Sequence, residues 1–501
     1  MNVLHHYLPG QPTRLTETAA GTFSGVRQRG CYVYRGIHYG RADRFQAPLP
    51  LSGRQTPDLV AACPQDGLAA RQQSEACLSL NVYAADTAAV KPVLVYVHGG
   101  SFARGSNMDA QTQGHRLAAA LDLVVVTVNY RLGVFGFFDF SRLDAAFSRN
   151  PAILDLLLAL QFVKANIAAF GGDPANITVM GESAGGSLAA LLATLNHDDT
   201  FAKVILSSPV PTAFIPAAKS RRRSEALLAR LGIETAEQLL ALPAAELAAA
   251  ALAFAASDGG GVSAFAPAVD GTVVGQTPLQ AQLTGRVRPR PTWIGVTADE
   301  MSILTLPVFA ERWQIDKFLP QEMRMEKTGF EAAMLACYRA AYPEPDRMTQ
   351  LYSDLMIRIP TAWYAQAAAL NQPTWLYRFD YAGPLVTRTG LKAFHTIDLY
   401  YLFDTLPAPL RIPSNLTMVK RIQDDLKQFL YHACLPWPTA DGNHLPAKYY
   451  ADSPSLGPLV PPEILAFWQQ SQHYARRANP GFEPDREAGA AGEGGESTFK
   501  P

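Results

Sequence analysis

One serine of the sequence stands in a setting that suits a catalytic nucleophile. Ser183 lies between Gly181 and Gly185, after a β-type run and before a run typical of a helix. This is the nucleophile-elbow pattern, in which the turn is strained and side chains two residues away from the serine would collide with their neighbours. Glycine at both places removes that collision. The competing interpretation is an ordinary flexible turn.

A serine hydroxyl becomes a useful nucleophile only when a base removes its proton and a third group orients that base. In a sheet enzyme with such an elbow, the chain order is serine, then acid, then histidine. Four of the ten histidines lie far enough along the chain: His395, His432, His444 and His473. The first is favoured because it stands in a loop just before an apolar helix. The other three fall in a helical pattern, in a polar turn and near the chain end.

The acid of such a triad should follow the end of a strand. Asp299 and Glu300 end the run TWIGVTADE, and Asp380 ends the run TWLYRFD. Each of them could equally be a capping or turn carboxylate. The residues by themselves leave this choice open.

A developing oxyanion needs hydrogen-bond donors that are already in place. The segment from His98 to Ser101 is a glycine turn directly after a buried strand, where open α/β sheets bind their ligands. Together with the N–H of Ala184, which follows the nucleophile, it could provide two or three backbone donors. The alternative is a plain strand-end turn.

These residues need a scaffold, and the middle of the chain predicts one. The run PVLVYVHGG (92–100) has the pattern of a strand buried on both faces, and apolar residues recur at helical spacing from Ile153 to Ile167. Buried strands and crossover helices alternate in this way up to residue 210. The pattern indicates an α/β protein with a large, mostly parallel sheet that is flanked by helices.

The rest of the chain suggests one domain with helical insertions. Ala- and Leu-rich stretches at about 219–257 and 305–371 are each flanked by strand-like runs, so we interpret them as excursions from one sheet within a domain of residues 1–485. The Gly-, Glu- and Ala-rich tail 486–501 is predicted to be disordered.

Composition narrows the functional classes. The chain has 501 residues, 48% of them hydrophobic, and a formal net charge of −1, which provides no long-range field for nucleic acid or an anionic membrane. No signal-peptide h-region and no run of eighteen apolar residues is visible. Five cysteines without metal-ligand spacing predict a cytoplasmic protein with reduced thiols and no metal.

Longer stretches of the sequence resemble the type B carboxylesterases, in the carboxylesterase/cholinesterase group of α/β-hydrolases. The matching stretches occur in the family order and cover most of the chain: YRGIHYGRADRFQAP (34–48), SEACLSLNVY (74–83), VYVHGGSF (95–102), VNYRLGVFGF (128–137), NIAAFGGDPANITVMGESAGG (166–186), FAPAVDG (265–271), GVTADE (295–300) and FHTIDLYYLF (394–403).

The resemblance implies an α/β-hydrolase fold with helical insertions around an active-site gorge, and ester hydrolysis through an acyl-enzyme. It implies Ser183 as nucleophile, Glu300 as the triad acid and His395 as the base. Gly100, Ser101 and Ala184 would be the oxyanion donors. No metal or organic cofactor is implied, and the partner would be a small-molecule ester. The sequence does not indicate an oligomeric state.

Some positions depart from the family pattern or have no clear role. Ser101 replaces the third glycine of the family motif, and Ser208 is followed by proline where Ser-Gly is usual, which could alter the acyl-side wall. Cys63 and Cys77 match positions that pair in secreted relatives, but without a signal peptide we expect them to be reduced. The region between them holds no tryptophan, so a choline site is not supported. The role of Glu182 is open.

Two other functions stay in view. An amidase or carbamate hydrolase would use the same triad, and no motif distinguishes it from an esterase. The family also includes adhesion-type members without catalysis, but those usually lose the nucleophile, and this chain keeps it.

Overall fold

A twelve-stranded sheet, with parallel strands at its centre, runs through the protein. The computed structural model describes residues 13–51, 61–69, 72–195, 199–257, 264–305, 329–342 and 346–471. The strands are β1 Thr13–Thr18, β2 Gly21–Gln28, β3 Cys31–His38, β4 Gly40–Arg41, β5 Leu49–Pro50, β6 Ser79–Ala85, β7 Lys91–Val97, β8 Val124–Val128, β9 Gly172–Glu182, β10 Lys203–Ser207, β11 Ile215–Pro216, β12 Ala268–Val269, β13 Thr292–Thr297, β14 Thr374–Phe379, β15 Pro446–Tyr450 and β16 Ser455–Pro458.

The order of strands in the main sheet is β1-β2-β3-β6-β8-β7-β9-β10-β13-β14-β15-β16, and the pairs β4-β5 and β11-β12 form separate small ribbons. Pairing is parallel from β8 to β15 and antiparallel at both ends. All residues of β7 and β8 are buried, as expected for apolar strands covered on both faces. The mostly parallel α/β sheet predicted from the sequence is therefore present.

Helices cover the sheet and fill the long connections. They are α1 His115–Leu121, α2 Gly133–Phe137, α3 Pro151–Asn166, α4 Ala184–Leu195, α5 Ala217–Leu231, α6 Ala236–Ala241, α7 Ala244–Ser257, α8 Pro278–Leu283, α9 Phe330–Ala341, α10 Arg347–Ser353, α11 Ile359–Ala369, α12 Pro384–Thr387, α13 Ile397–Leu402, α14 Pro413–His432 and α15 Pro462–Gln469. A π-helical segment, Asp354–Arg358, joins α10 to α11. Short 3₁₀ turns lie at Ala110–Thr112, Ile167–Phe170, Ser302–Thr305 and Ala408–Leu410.

The two helical insertions lie between neighbouring strands. The segment from α5 to α8 connects β10 to β13, and the segment from α9 to α11 connects β13 to β14. Residues 306–328 of the second insertion, and the predicted disordered tail 486–501, lie outside the described residues.

One helical stretch, Pro151–Phe170, is long and apolar enough to cross a membrane, and 56% of its most apolar window is buried inside the protein. Proline at the first position of α3 suits a helix start, since the N–H that it lacks would have no intrahelical acceptor there. Gly171, with φ of 84°, ends the stretch in a left-handed conformation that glycine adopts without strain.

Cys63 and Cys77 form a disulfide, with Cα atoms 5.0 Å apart. The prediction that they are reduced is therefore wrong. It relied on the expectation that the protein is cytoplasmic, whereas the pairing follows from the local fold. The Ala62 N–H donates to Gln72 O and the Ser74 N–H to Ala62 O, both at 2.9 Å, so the two cysteine segments run side by side. Free cysteines among the described residues are Cys31, Cys337 and Cys434.

Candidate active site

The nucleophile candidate lies on the sharp junction between β9 and α4. Ser183 is the single residue between them and has φ of 54°, a left-handed conformation that is costly for a serine. Its N–H donates to Ser207 O at 3.0 Å, and its O accepts from the Ser187 N–H at 3.0 Å. The junction is thus tied on one side to β10 and on the other to the first turn of α4.

The two flanking glycines are needed for steric reasons. A Cβ on Gly181 would lie 2.1 Å from Gly185 O, and a Cβ on Gly185 would lie 2.2 Å from Val97 O. Both contacts are with backbone atoms, which cannot move aside as the end of a flexible side chain can. The collision inferred from the spacing of the glycines is therefore real.

Of the histidine candidates, His395 is the one next to a buried acid. Its ring Nδ1 lies 2.7 Å from Glu300 Oε2, and its backbone N–H donates to the backbone oxygen of Glu300 at 3.1 Å. About 18% of its side-chain surface is exposed, so the ring is accessible from the site. The other candidates differ: His432 ends α14, His444 is exposed beside Asp441, and His473 lies outside the described residues.

The structure distinguishes the three candidate acids. Glu300 is fully buried, and its Oε1 accepts from Ser208 Oγ and from the Thr297 N–H, both at 2.7 Å. Asp299 instead accepts from Gln350 Nε2 at 2.8 Å. Asp380 pairs with Arg378 at 2.6 Å. Only the first of the three carboxylates contacts the imidazole.

Ser208 is a contributor that the sequence analysis missed, because it noted this residue only as a change in the acyl-side wall. Ser208 follows β10 with φ of 44°, and this conformation accompanies its hydrogen bond to Glu300. No local pattern could reveal this contact, since it depends on β10 and β13 being neighbours in the sheet, which brings together the residues just past their carboxyl ends.

A second carboxylate, that of Glu182, faces the same imidazole. Its Oε1 lies 3.1 Å from His395 Nε2, and 4% of its side-chain surface is exposed. Among the described residues, Oε1 forms no hydrogen bond in spite of this short distance.

Burial and the neighbouring charges shift the pKa values of His395 and Glu182. Burial opposes the charged form of His395, but the negative charges of Glu182 and Glu300 outweigh it and raise the pKa of His395 from 6.5 to about 9. Burial raises the pKa of Glu182 to about 8, against the opposing effect of a positive charge on His395. The two groups interact so closely that the site titrates as a pair.

A glycine turn (residues 99–105) follows β7 and lies beside the elbow. Gly100, Ser101 and Phe102 all have positive φ, at 109°, 54° and 62°. The Ala103 and Arg104 N–H groups both donate to Gly100 O at 3.0 Å, which closes the turn.

The glycine turn contacts the elbow and carries unpaired backbone donors. A Cβ on Gly99 would lie 3.1 Å from Ser183 Cβ, so the turn and the elbow are in contact. In the described part of the chain, neither the Gly100 nor the Ser101 N–H has an acceptor. Ala184 is the first residue of α4, where a backbone N–H has no intrahelical acceptor. Unsatisfied backbone N–H groups beside a serine are what an oxyanion site requires.

Across the ranges that the structure describes, no group of three or more His, Cys, Asp or Glu side chains could hold a metal ion. The groups that the described part of the site presents are the hydroxyl, the imidazole, the two carboxylates and the backbone donors.

The chain is similar to known proteins over most of its length. The model of the carboxylesterase family matches residues 12–432. The para-nitrobenzyl esterase of Bacillus subtilis is 32% identical over 460 residues, which are 85% of this chain and 89% of that protein. A probable N-octanoylanthranilate hydrolase of Rhodococcus erythropolis is 30% identical over 400 residues, which are 74% of this chain and 81% of that protein.

Among solved structures, the Geobacillus stearothermophilus carboxylesterase EST55 at pH 6.2 superposes with a TM-score of 0.79 at 28% identity, covering 91% of this chain and all of that one. A Clostridium hathewayi esterase, described as able to hydrolyse aliphatic aromatic polyesters, has a TM-score of 0.74 at 25% identity and covers 92% of this chain and 99% of that one.

Proposed function

Because the chain belongs to the carboxylesterase family and is a carboxylic ester hydrolase, we propose that it works through a Ser183 acyl-enzyme with His395 as base and Glu300 as acid. The α/β-hydrolase fold expected from the sequence is confirmed by the solved structures that match it. The observation that carries the proposal is the 2.7 Å contact between the buried Glu300 carboxylate and His395, beside the strained elbow.

In the first half of the proposed reaction, His395 Nε2 takes the proton of Ser183 as its oxygen attacks the ester carbonyl. The Glu300 carboxylate accepts the Nδ1–H, which holds the tautomer and stabilises the imidazolium. The N–H groups of Gly100, Ser101 and Ala184 receive the oxyanion of the tetrahedral intermediate. His395 then donates its proton to the leaving alcohol.

In the second half, a water molecule replaces the alcohol. His395 removes a proton from the water as its oxygen attacks the acyl carbon, and the same backbone donors bind the second oxyanion. Collapse of this intermediate breaks the bond to Ser183 Oγ, which regains the proton from His395. The products are the carboxylic acid and the free enzyme.

The test is Ser183→Ala with p-nitrophenyl butyrate as substrate. We expect kcat to fall by roughly 10⁴- to 10⁶-fold because the attacking oxygen is gone. Ser257→Ala is a matched control, since the Oγ of this exposed serine donates to Phe254 O and accepts from Arg230 Nη1 at the end of α7 and contacts no residue of the site. Circular dichroism must show both variants folded. Most activity persisting in Ser183→Ala would contradict the assignment, as would failure of a fluorophosphonate probe to label Ser183.

For the substrate, we propose esters of aromatic alcohols, as the name of the Bacillus subtilis relative suggests. The Rhodococcus erythropolis relative favours a second candidate, the cleavage of N-acyl amides by the same residues. Parallel kcat/KM values for p-nitrophenyl octanoate and N-octanoylanthranilate separate the two. A non-catalytic adhesion role is disfavoured, since the relatives named above are hydrolases.

A cytoplasmic location stays a prediction, and the Cys63–Cys77 bond is an observation against it, because structural disulfides are rare in the cytosol. Thiol alkylation of protein taken directly from its native cells would decide the point. Alkylated Cys63 and Cys77 would support the cytoplasm, and unmodified residues would support an oxidising compartment.

A further inference from the structure

One glutamine outside the proposed triad holds the far end of the glycine turn. Gln65 Oε1 accepts from the Gly105 N–H, and Gln65 Nε2 donates to Gly105 O, both at 2.9 Å. Its Nε2 also donates to Cys63 O at 3.1 Å. The side-chain amide therefore binds both backbone groups of one glycine, as a neighbouring strand would. Only 8% of Gln65 is exposed, so water competes little for these bonds.

Gly105 in turn lies directly against His98. It has φ of +112°, and a Cβ there would lie 2.3 Å from His98 Nδ1 and 2.6 Å from Gly99 O. This close approach means that any displacement of Gly105 alters the space that His98 occupies. The imidazole is otherwise held by stacking on Tyr130, with ring centroids 4.5 Å apart, and the Tyr130 hydroxyl donates to His98 O at 2.8 Å.

His98 then contacts the peptide that carries a proposed oxyanion donor. Burial lowers the pKa of His98, so the ring is neutral near pH 7. Its Nδ1 lies 3.0 Å from Gly99 O. Because that oxygen can only accept, Nδ1 must carry the proton. Gly99 O and the Gly100 N–H are opposite ends of one planar peptide unit. A hydrogen bond to the oxygen fixes the plane and polarises the N–H.

Packing holds the middle of the turn but not its outer face. Phe102 is buried and packs against Phe137, with ring centroids 5.4 Å apart, whereas the outer face borders a small pocket whose lining includes Gln65, Asp66 and Arg104. The Arg104–Asp66 ion pair, at 3.2 Å, is about half exposed on both sides and contributes little. The amide of Gln65 is the buried polar contact on this side of the turn.

We propose that Gln65 is a positioning residue for ester hydrolysis, which acts through Gly105 and His98 to hold the Gly100 N–H in the direction of the oxyanion. This inference rests on the proposed function, because it assigns Gly100 as an oxyanion donor. It extends the site to the loop closed by the Cys63–Cys77 disulfide, to which no role in the reaction was assigned from the sequence. The predicted consequence is a loss of rate per active site, without a loss of substrate binding.

The test variant is Gln65→Met, which keeps the length of the side chain and removes both hydrogen-bonding groups. Gln372→Met is the matched control. Gln372 is also 8% exposed, and its amide makes two hydrogen bonds where that of Gln65 makes three. It accepts from the Arg290 N–H and donates to Thr292 Oγ1, at the amino end of β13, whereas the candidate site lies at the carboxyl ends of the strands. Each variant is measured with p-nitrophenyl butyrate. The p-nitrophenol burst counts competent sites, so that kcat is expressed per site.

For Gln65→Met we expect kcat per site to fall by roughly 10- to 100-fold, less than the loss of a whole oxyanion donor, with KM within threefold of wild type. A trifluoromethyl ketone, whose adduct with the serine is a tetrahedral oxyanion, should bind more weakly by the same factor as kcat/KM falls. The control should lose thermal stability and keep kcat per site within threefold.

Three results would overturn the inference: unchanged kcat per site in Gln65→Met, a loss that appears in KM alone, or an equal loss in the Gln372→Met control. Failure of the proposed function has a different signature, since hydrolysis by the otherwise unaltered enzyme would then persist in Ser183→Ala. Measurements on the wild type, Ser183→Ala, Gln65→Met and Gln372→Met therefore distinguish the two failures.

Discussion

Two turns meet at the candidate site, and they are held in different ways. The Glu300 turn (residues 297–302) is fixed by side chains from several elements. Arg358 Nη1 donates to Ala298 O at 2.7 Å, and the Met301 N–H donates to Ser353 Oγ at 3.0 Å. The glycine turn has three consecutive residues at positive φ, and two hydrogen-bonding neighbours hold it from outside: the Gly133 N–H, which donates to Phe102 O at 2.8 Å, and Gln65 at its far end.

The difference follows from what each turn presents. Glu300 presents a buried charge, and a buried carboxylate is costly unless it is surrounded by hydrogen-bond donors. The Asp354–Arg358 ion pair behind it, 0% and 3% exposed within the π-helical segment, adds a further buried anchor. In the proposed mechanism the glycine turn must leave the Gly100 and Ser101 N–H groups unpaired, so it cannot be stabilised by hydrogen bonds at those two groups. We therefore expect that the Glu300 turn tolerates the loss of one contact, because several others hold it, and that the glycine turn depends on fewer contacts.

The largest effect that we expect in this comparison is that of Glu300→Gln, which keeps the shape and removes the charge. Loss of the carboxylate should lower kcat by roughly 10³- to 10⁴-fold, because the imidazole loses its tautomer and the stabilisation of its charged form. The control is Asp299→Asn, which changes the neighbouring carboxylate that contacts Gln350 rather than the imidazole. Steady-state kinetics that show an equal loss in both variants would mean that the turn, not the Glu300 charge, is needed.

A smaller effect is expected from Ser208→Ala, which tests whether the several hydrogen bonds to Glu300 can replace one another. Ser208→Ala removes one donor to Glu300 Oε1 and leaves the Thr297 N–H on the same oxygen. We expect kcat to fall by roughly three- to tenfold, the effect of one hydrogen bond among several. The measurement is kcat per titrated site, beside that of Gln65→Met. If Ser208→Ala costs more than Gln65→Met, the acid side is the less redundant of the two.

The smallest effect at the pH optimum is expected from Glu182, which lies between the two turns. Its Oε1 is 3.1 Å from His395 Nε2, and a Cβ on Gly99 would be 2.5 Å from its Oε2. The base must be neutral to accept a proton, so kcat/KM should rise as the pH rises through the pKa of His395, which the neighbouring carboxylates raise to about 9.

Glu182→Gln removes one of the charges that raise this pKa, so the rising limb of the pH–rate profile should move to lower pH. The plateau should change by roughly threefold or less, since no hydrogen bond to the imidazole is lost. The profile from pH 5 to 10 checks this. An unmoved limb would contradict the effect that we assign to the Glu182 charge.

The sequence by itself determined the features that depend on near neighbours in the chain. The glycines around Ser183 predicted the strained elbow, because a steric collision two residues away is local. Buried strands such as β7 were visible as continuous apolar runs, although β7 ends at Val97 and the following residues leave the sheet. The resemblance that those motifs carry predicted the family correctly.

Tertiary structure alone decided which distant groups meet. The sequence left Asp299, Glu300 and Asp380 as candidate acids. The structure shows that Glu300 is the one of these three that contacts the imidazole, since sheet register decides which loop ends lie together. The disulfide of Cys63 was predicted wrongly for a related reason, because the backbone pairing around it is not written in the cysteine spacing. The contacts of Ser208 with Glu300, of Glu182 with His395 and of Gln65 with Gly105 join residues that are far apart in the sequence, so no local pattern could reveal them.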